Sequence, residues 1–376
     1  MTKPLLTMSS ATISRFVSSH MDQRSQANIH ILGLGSIGTL TAHSLSEIPD
    51  NPSVTLLLHR ESLLDAYKAG GNQIKFETRD GKHVRSHGHK LEVLHDGKWY
   101  GSQDYEQMRT QQLSASPLST EIENLIVCVK ATQTVAALRP LKHRLTAKSS
   151  ILFLQNGSGM VDEANEKLFP NPETRPNYLL GVISHGVTLN KPFDATHTGF
   201  SATSIGPVPR RGHKHPESSA SNYLLQNLPL SPTLNTTAYS YTDVLQVQLE
   251  KLAVNAFCNP LCALHDAQNK FLFTLPEIRQ KLMAEISTVV QNLPELQDIS
   301  AIKIKERFDP HQLESTVNAI IKKTAETTCS MVWDLRAGRE TEIRYINGFW
   351  CRKGNEVGVP TPINDSLVEQ ILARRT

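Results

Sequence analysis

The stretch Asn28-Ile-His-Ile-Leu-Gly33-Leu-Gly35-Ser-Ile-Gly38 decides the fold. It reads as a short buried strand that breaks at a glycine and re-emerges as a helix from Thr39 to Ile48. Leu40, Ala42, Leu45 and Ile48 fall at helical spacing there. Each glycine has its own task. Gly33 permits the tight turn, Gly35 lets the backbone approach a pyrophosphate, and Gly38 lets helix and strand pack closely. The start of the helix then offers free N–H groups to phosphate oxygens. A glycine-rich turn alone is common. Here a strand precedes it, a helix follows, and a second strand comes next, Val54-Thr-Leu-Leu-Leu-His-Arg60, which is the setting of a dinucleotide site.

The end of that second strand selects between the two nicotinamide dinucleotides. An NAD site usually carries Asp or Glu there, accepting hydrogen bonds from the ribose 2′-OH. This strand ends in His59-Arg60, and Glu61 comes one position later. A guanidinium suits a 2′-phosphate through paired, charged hydrogen bonds, so the expected cofactor is NADP(H). The plain alternative is that Arg60 is a solvated surface residue.

Working outward, residues 61–70 read as a helix ending at Gly70-Gly71. Residues 73–108 read as short strands and turns, with Asp80-Gly81 and Asp96-Gly97 as hairpin candidates. The stretch 113–120 is a loop. Leu125–Val129 and Ile151–Leu154 are further buried strands, separated by a helix carrying Ala136, Leu138 and Leu141, and Gly181–Ser184 is another candidate. Residues 207–221, rich in Pro, Gly, Arg, His and Ser, read as a surface loop. A helix near Tyr223–Leu228 and a strand near Thr233–Thr237 follow, and from about Thr242 the pattern is helical throughout. The expected fold is α/β, a Rossmann-like doubly wound domain with a mostly parallel sheet, followed by an all-α domain. The expected division is 1–26 as a tail, 27–240 as the NADP-binding domain and 241–376 as the helical substrate domain.

Composition bounds the remaining possibilities. The chain has 376 residues, 39% hydrophobic and 20% charged, with a net charge of +3, ordinary values for a globular protein. No basic run dominates, which argues against nucleic acid as a partner. No apolar run is long enough to span a membrane. The 5 cysteines, Cys128, Cys258, Cys262, Cys329 and Cys351, complete no metal-binding pattern and read as small buried residues in a reducing compartment. No metal is expected. The first 26 residues are Ser/Thr-rich and have no acid before Asp22. They read as a disordered tail, with a mitochondrial transit peptide as the alternative.

The stretch Lys251-Leu-Ala-Val-Asn255-Ala-Phe-Cys-Asn259-Pro-Leu261 is a helix with one ammonium and two carboxamides on a single face. Apolar residues fill the space between them. Buried unpaired polar groups cost ~1–3 kcal/mol each, so this stripe implies a cleft and a small polar ligand. Pro260 removes the backbone hydrogen bond to Ala256 and implies a bend near the site. Lys130 and Asn156 end two of the predicted buried strands, where an open α/β sheet has its ligand crevice. Either residue has a plainer use, capping a helix or a turn. The last constellation is Ser330-Met-Val-Trp-Asp-Leu-Arg-Ala-Gly-Arg-Glu-Thr341-Glu342-Ile-Arg-Tyr-Ile-Asn347-Gly348. One reading of Glu342 is an acid in the first turn of a helix that Thr341 caps.

Taken together, GLGSIG, VCVKA, LQNG, KLAVNAFCNPL and SMVWDLRAGRETEIRYINGF resemble the ketopantoate reductase (2-dehydropantoate 2-reductase) family from about Asn28 to the C-terminus. The match is weakest over 73–120 and 207–235. Gly181-Val-Ile-Ser-His-Gly-Val187 resembles the fungal members in particular. The resemblance implies a Rossmann domain, a helical domain and an active site in the cleft between them. It implies NADPH-dependent reduction of 2-dehydropantoate to (R)-pantoate, towards pantothenate and coenzyme A. By the same resemblance Lys251 is the proton donor and contacts substrate, and Asn156, Asn255, Asn259, Asn269 and Ser330 are substrate contacts. Asn269 is followed by Lys270 where the family has Gly. Gly33, Leu34, Gly35, Ser36, Ile37, Gly38, Arg60, Lys130, Asn156 and Glu342 correspond to cofactor contacts, and Glu342 also lies near the substrate.

The residues support that chemistry independently. Reducing a ketone creates an alkoxide, which needs a proton and a positive partner. Lys251 supplies both. Its reference pKa of ~10.4 makes it a reluctant donor. Its apolar neighbours should lower that value, while Glu342, if close, should oppose them. Two other readings remain: the same chemistry on another 2-oxo acid, or a non-catalytic, translation-linked mitochondrial protein on the same scaffold. The second predicts a degraded residue set, whereas the set here is complete. A cytoplasmic location is expected, with mitochondria as the alternative. Oligomeric state is not readable from the residues, and a homodimer is carried as one expectation.

Overall fold

The structure, a computed structural model, describes residues 27–49, 51–210 and 222–374. The expected tail over 1–26 and most of the expected loop over 207–221 lie outside the described residues. The strands are β1 (Asn28–Leu32), β2 (Ser53–Leu58), β3 (Gln73–Glu77), β4 (His83–His87), β5 (Lys90–His95), β6 (Lys98–Gly101), β7 (Asn124–Val127), β8 (Ser150–Phe153), β9 (Asn177–Ile183), β10 (Gly186–Lys191), β11 (Asp194–Gly199), β12 (Thr203–Pro207) and β13 (Thr236–Ala238). They form a 9-stranded sheet in the order β13-β12-β9-β8-β7-β1-β2-β5-β6 and a 4-stranded sheet in the order β10-β11-β3-β4.

In the larger sheet every pairing from β9 through β8, β7, β1 and β2 to β5 is parallel. The antiparallel pairs are β5 with β6 and β9 with β12. Chain order runs outward from β1 in one direction through β2, then returns to the other side at β7. That reversal is the topological switch point, where open α/β sheets bind ligands at the carboxyl ends of their strands. The expected doubly wound α/β arrangement followed by helices is therefore present.

Two features depart from the expected pattern. A helix, Ser102–Gln111, overlaps the end of the stretch 73–108 read as strands and turns. Its sequence is polar all round and buries only Tyr105, so it carries no periodic apolar signal. The second sheet was expected only in part: β3 and β4 form the hairpin read at Asp80-Gly81, whereas the β10–β11 hairpin that extends it was not expected. Its strands β10 and β11 are joined through Pro192-Phe193, with Lys191 opposite Asp194. Phe193 sits at φ 62, which a bulky residue rarely adopts, and no Asn-Gly or Asp-Gly marks the turn. Tertiary packing holds it, because Phe193 is buried edge-on against Tyr67 with ring centroids 4.9 Å apart.

The second sheet explains the helix Ser36–Leu45, which is buried at every position from Gly38 to Leu45 rather than on one face. The large sheet covers one side of it, and β3, β10 and β11 cover the other. His43 stacks on Phe76 of β3 at 4.9 Å. On the far side of the large sheet, Arg144 is buried and makes a two-pronged ion pair with Glu92 at 2.6 and 3.0 Å.

The helical part is organised around Tyr241–His265. Ser240 caps it, its Oγ accepting from the Asp243 N–H. The helices Pro276–Gln291, Pro310–Lys323, Ser330–Arg336 and Pro362–Ala373 pack around it. The same helix lies against β9 and β12, so one rod joins the helical core to the sheet. Pro260, where a bend was expected, lies inside the continuous helix Tyr241–His265. The Ala256 carbonyl that proline leaves free accepts a hydrogen bond from Asn347 Nδ2 at 2.9 Å, and Asn347 is fully buried.

Candidate active site

At the carboxyl end of β1, Gly33 has φ +99, and a Cβ there would stand 2.5 Å from the Val129 amide nitrogen. A Cβ on Gly38 would stand 1.7 Å from the Gly33 carbonyl oxygen. These two glycines are demanded by packing. Gly35 differs, because nothing lies within 4 Å of where its Cβ would be. It faces open space at the start of the helix Ser36–Leu45, which has no side-chain cap and no acid in its first turn. Open backbone and an unopposed positive helix end fit a pyrophosphate. Leu34 is buried beneath this turn, while Ser36 and Ile37 lie at its partly exposed rim. Arg60, just past β2, is exposed and has no ion pair among the described residues. The neighbouring Glu61 turns away to His95 at 3.4 Å.

The second half of the site forms where the long helix crosses the ends of β8 and β9. Lys251 points its ammonium at both, donating to Asn156 Oδ1 at 2.9 Å and to the Ile183 carbonyl. A narrow crevice here is lined by Asn156, Gly157, Gly181, Gln248, Lys251 and Asn255. Burial lowers the Lys251 pKa to about 8, and the charge of Glu342 opposes the shift. Glu342 is buried too. Burial raises its pKa, while the Ala131 N–H, which donates to Oε1 at 3.0 Å, and the Lys130 and Lys251 charges pull the other way.

Of the residues singled out in the sequence, Asn156, Lys251, Asn255 and Glu342 come together. Asn259 lies one turn beyond Asn255 and is buried. Neither carboxamide has a protein hydrogen bond among the described residues, so both remain available to a ligand. Ser330 is exposed at the start of the helix Ser330–Arg336, which packs along the long helix. Asn269 stands apart: its Nδ2 donates to Thr324 Oγ1 at 2.8 Å and its Oδ1 accepts from the Cys262 thiol at 3.5 Å. Lys130 reaches across from the end of β7 to Asp334, which also accepts from Arg339 at 3.1 Å.

Thr341 does not cap a helix. Its hydroxyl is buried without a partner among the described residues, and the chain makes one 3-10 turn, Ile343–Tyr345, before the helix Asn347–Val357 begins. The buried side chains of Ile343 and Ile346 tie this turn into the core. Tyr345 in turn packs on the loop after β8. A Cβ on Gly157 would stand 2.7 Å from Tyr345 Cβ, and the Ser158 N–H donates to the Tyr345 carbonyl at 2.8 Å.

Two participants escaped the sequence reading. Asp334 carried a signal, since an acid inside Met331-Val-Trp-Asp-Leu335 needs a cation once buried. The Ile183 carbonyl carried none, because any residue supplies one.

Comparison with known proteins decides the family. A family model described as ketopantoate reductase PanE/ApbA matches residues 29–210, and its C-terminal counterpart matches residues 243–375. The chain belongs to the ketopantoate reductase family. It is 31% identical to the 2-dehydropantoate 2-reductase of Vibrio cholerae, over 77% of this chain and 91% of that one. It is 28% identical to a probable 2-dehydropantoate 2-reductase of Schizosaccharomyces pombe, over 90% and 94% of the two chains. Ketoisovalerate reductase BEA2 of Gibberella fujikuroi is 26% identical, over 88% and 78%.

Solved ketopantoate reductases share the fold. A probable member from Bacillus subtilis superposes with a TM-score of 0.61 at 24% identity, covering 92% of this chain and 99% of that one. D-mandelate dehydrogenase, in complex with NADH and anilino(oxo)acetate, superposes at 0.65 with 20% identity over 93% and 98%. A dimeric ketopantoate reductase from Staphylococcus aureus superposes at 0.62 with 17% identity over 93% and 98%. Membership makes the chain an oxidoreductase. Among the described residues no helix is long and apolar enough to cross a membrane.

Proposed function

We propose that this ketopantoate reductase reduces 2-dehydropantoate to (R)-pantoate with NADPH, and that Lys251 donates the proton. The observation that carries the reading is the Lys251 ammonium. It is desolvated, held by Asn156 and the Ile183 carbonyl, and followed along its helix by two carboxamides with no protein partner among the described residues.

When bound, the reduced nicotinamide supplies two electrons and a hydrogen to the keto carbon. The chain's residues do the rest. As the carbonyl π pair moves to oxygen, Lys251 Nζ gives that oxygen a proton and becomes a neutral amine, later recharged from solvent. Its charge also stabilises the developing alkoxide, more strongly in a buried site than in water. Asn156 and the Ile183 carbonyl aim the ammonium, and Glu342 keeps it charged. Asn255, Asn259 and Ser330 offer neutral hydrogen bonds that suit a hydroxylated 2-oxo acid. The uncapped helix at Gly35 receives the pyrophosphate. Arg60, exposed and unpaired among the described residues, receives a 2′-phosphate, which supports NADP(H) over NAD(H). On this reading residues 27–240 are the cofactor domain and 241–376 the substrate domain. Asn269 acts by bracing the far end of the long helix rather than from the crevice.

The test mixes purified protein, NADPH and 2-dehydropantoate and follows nicotinamide absorbance. No turnover by the wild type, or unchanged turnover in Lys251→Ala, overturns the reading. One comparison favours a second substrate, because relatives named ketoisovalerate reductase match most of this chain. Equal concentrations of the two keto acids, compared by kcat/KM, decide between them. The dimeric Staphylococcus aureus relative supports a homodimer, which light scattering of the purified chain tests. Imaging of the tagged full-length chain separates a cytoplasmic from a mitochondrial location.

A further inference from the structure

A cavity of about 100 Å³ lies beside the Lys251 crevice, where the loop after β8 and the strand β9 meet the helical part. Met160, Leu180, Leu245, Leu249, Leu293 and Phe349 wall it with apolar surface, and all are buried. Gln248 lines both spaces. The Ser158 hydroxyl donates to Gln248 Oε1 at 3.4 Å, which fixes the amide in the partition between them. Gln248 is only 6% exposed, yet its Nε2 has no acceptor among the described residues.

Charged groups interrupt the apolar wall. Asp162, Glu295 and Lys353 line the same cavity. The Lys353 ammonium is already committed, donating to Glu295 Oε1 and to Glu356 Oε2, each at 2.8 Å. Glu295 Oε2 is buried with no donor among the described residues, and Asp162, which is exposed, has no ion pair among them. One space therefore brings together carboxylate oxygens in need of donors, an amide N–H in need of an acceptor, and apolar surface. Water satisfies the polar atoms but leaves the apolar wall wet. An occupant with polar ends and an apolar middle satisfies all three.

We propose that this cavity binds a short aliphatic amino alcohol. Its ammonium donates to Glu295 Oε2 and Asp162, its methylenes lie on the apolar wall, and its hydroxyl oxygen accepts from Gln248 Nε2. Size sets the length. A cavity of ~150 Å³ accepts a six-carbon ring, which scales to ~four non-hydrogen atoms here. Three methylenes and an oxygen fill that space, with the ammonium at the rim beside Asp162. Charge sets the sign of the head. A carboxylate would meet Asp162, Glu295 and Glu356 with only Lys353 to oppose them, and Lys353 already serves both glutamates. A purely apolar occupant would leave Glu295 Oε2 and Gln248 Nε2 unpaired.

The probe is 3-aminopropan-1-ol, titrated into the full chain by isothermal calorimetry at about pH 7, where its amine is charged. Saturable binding to a single site is expected. Propylammonium, which lacks the oxygen, should bind at least ~3-fold more weakly, and 3-hydroxypropanoate, with the opposite charge, at least ~10-fold more weakly. Asp162→Asn removes a charge without changing shape and should weaken binding at least ~3-fold. Leu293→Phe puts a ring into the cavity and should weaken binding at least ~5-fold. Circular dichroism checks that each variant folds, and the head and tail variants stand independently if one does not. Failure to saturate by ~50 mM 3-aminopropan-1-ol overturns the proposal. So does equally tight binding of 3-hydroxypropanoate, or wild-type affinity in both folded variants, since either places the probe elsewhere on the molecule. Calorimetry needs no turnover, so a failure of the reductase reading leaves this result intact.

Discussion

Reduction by this protein should slow as pH rises, with its midpoint at the titration of Lys251. Burial brings that pKa from the ordinary 10.5 down to about 8, against the opposing charge of Glu342. Only the ammonium donates a proton, so the rate should be flat below the midpoint and fall about tenfold for each pH unit well above it. An unperturbed lysine would hold the rate flat for ~2 further units. The shift corresponds to ~3 kcal/mol of preference for the neutral amine in the folded protein. The reverse reaction needs the neutral amine as base, so its rate should rise with pH through the same midpoint. Stability follows the same sign. The folded pKa lies below the unfolded one, so the charged form penalises the native state below about pH 8. That penalty is relieved as pH climbs through about 10. The assay is nicotinamide absorbance in both directions at saturating substrate across this range. Glu342→Gln removes a charge that supports the ammonium and should move the midpoint lower. A forward rate that stays flat to about pH 10, or rises with pH, refutes Lys251 as the donor; a midpoint that moves up in Glu342→Gln refutes the coupling.

Four further outcomes are expected. Gly38→Ala would place a Cβ 1.7 Å from the Gly33 carbonyl, and with backbone on both sides the helix must move off the strand. NADPH affinity, read by fluorescence titration, should drop at least ~10-fold as the N–H groups lose their aim. Arg60→Ala should raise the KM for NADPH by ~10-fold or more while leaving that for NADH nearly unchanged, which the two cofactors measured side by side will show. Asn347→Leu strands the carbonyl that Pro260 left free and should cost ~1–3 kcal/mol in urea unfolding. Arg144→Met leaves Glu92 buried without its cation and should cost ~3–5 kcal/mol. Burial raises the Glu92 pKa, but hydrogen bonds and charges from His30 and Arg144 outweigh it and leave a net depression. In the wild type this pair's contribution is therefore full above the ordinary carboxylate range and is lost as pH falls below it, whereas the variant's acid unfolding should lack that component.

What could be read from the sequence follows from which groups carry their own signal. The Gly33–Gly38 turn was legible because the outer glycines are forced by backbone contacts and the middle one by an opening, and each demand excludes other residues. Lys251, Asn255 and Asn259 were legible as polar groups at one spacing in an apolar helix. Pro260 implied an orphan carbonyl at Ala256, although its partner, Asn347, is 87 positions away from Pro260 and could not be named. The helix Ser102–Gln111 was hidden because it buries a single side chain. The hairpin of β10 and β11 was hidden because Phe193 takes its turn conformation from packing on Tyr67 and not from local preference. Asp334 stood in plain view inside an apolar run, but the cation it holds comes from β7, and sequence separation conceals such pairs.

The four-stranded sheet sets a schedule for making this protein. Its two hairpins are local, but they join through a parallel pairing of β3 with β11. Roughly 120 residues separate those strands, so at ~5–20 residues per second a ribosome leaves β3 without its neighbour for ~6–24 s. An open strand edge for that long invites pairing with other nascent chains. Lys75 and Glu77 lie on that edge, opposite the future positions of Asp194 and Thr196, and their charges discourage the wrong partner until the right one is synthesised. Replacing both with valine would leave the finished sheet paired while raising the yield of aggregate during synthesis.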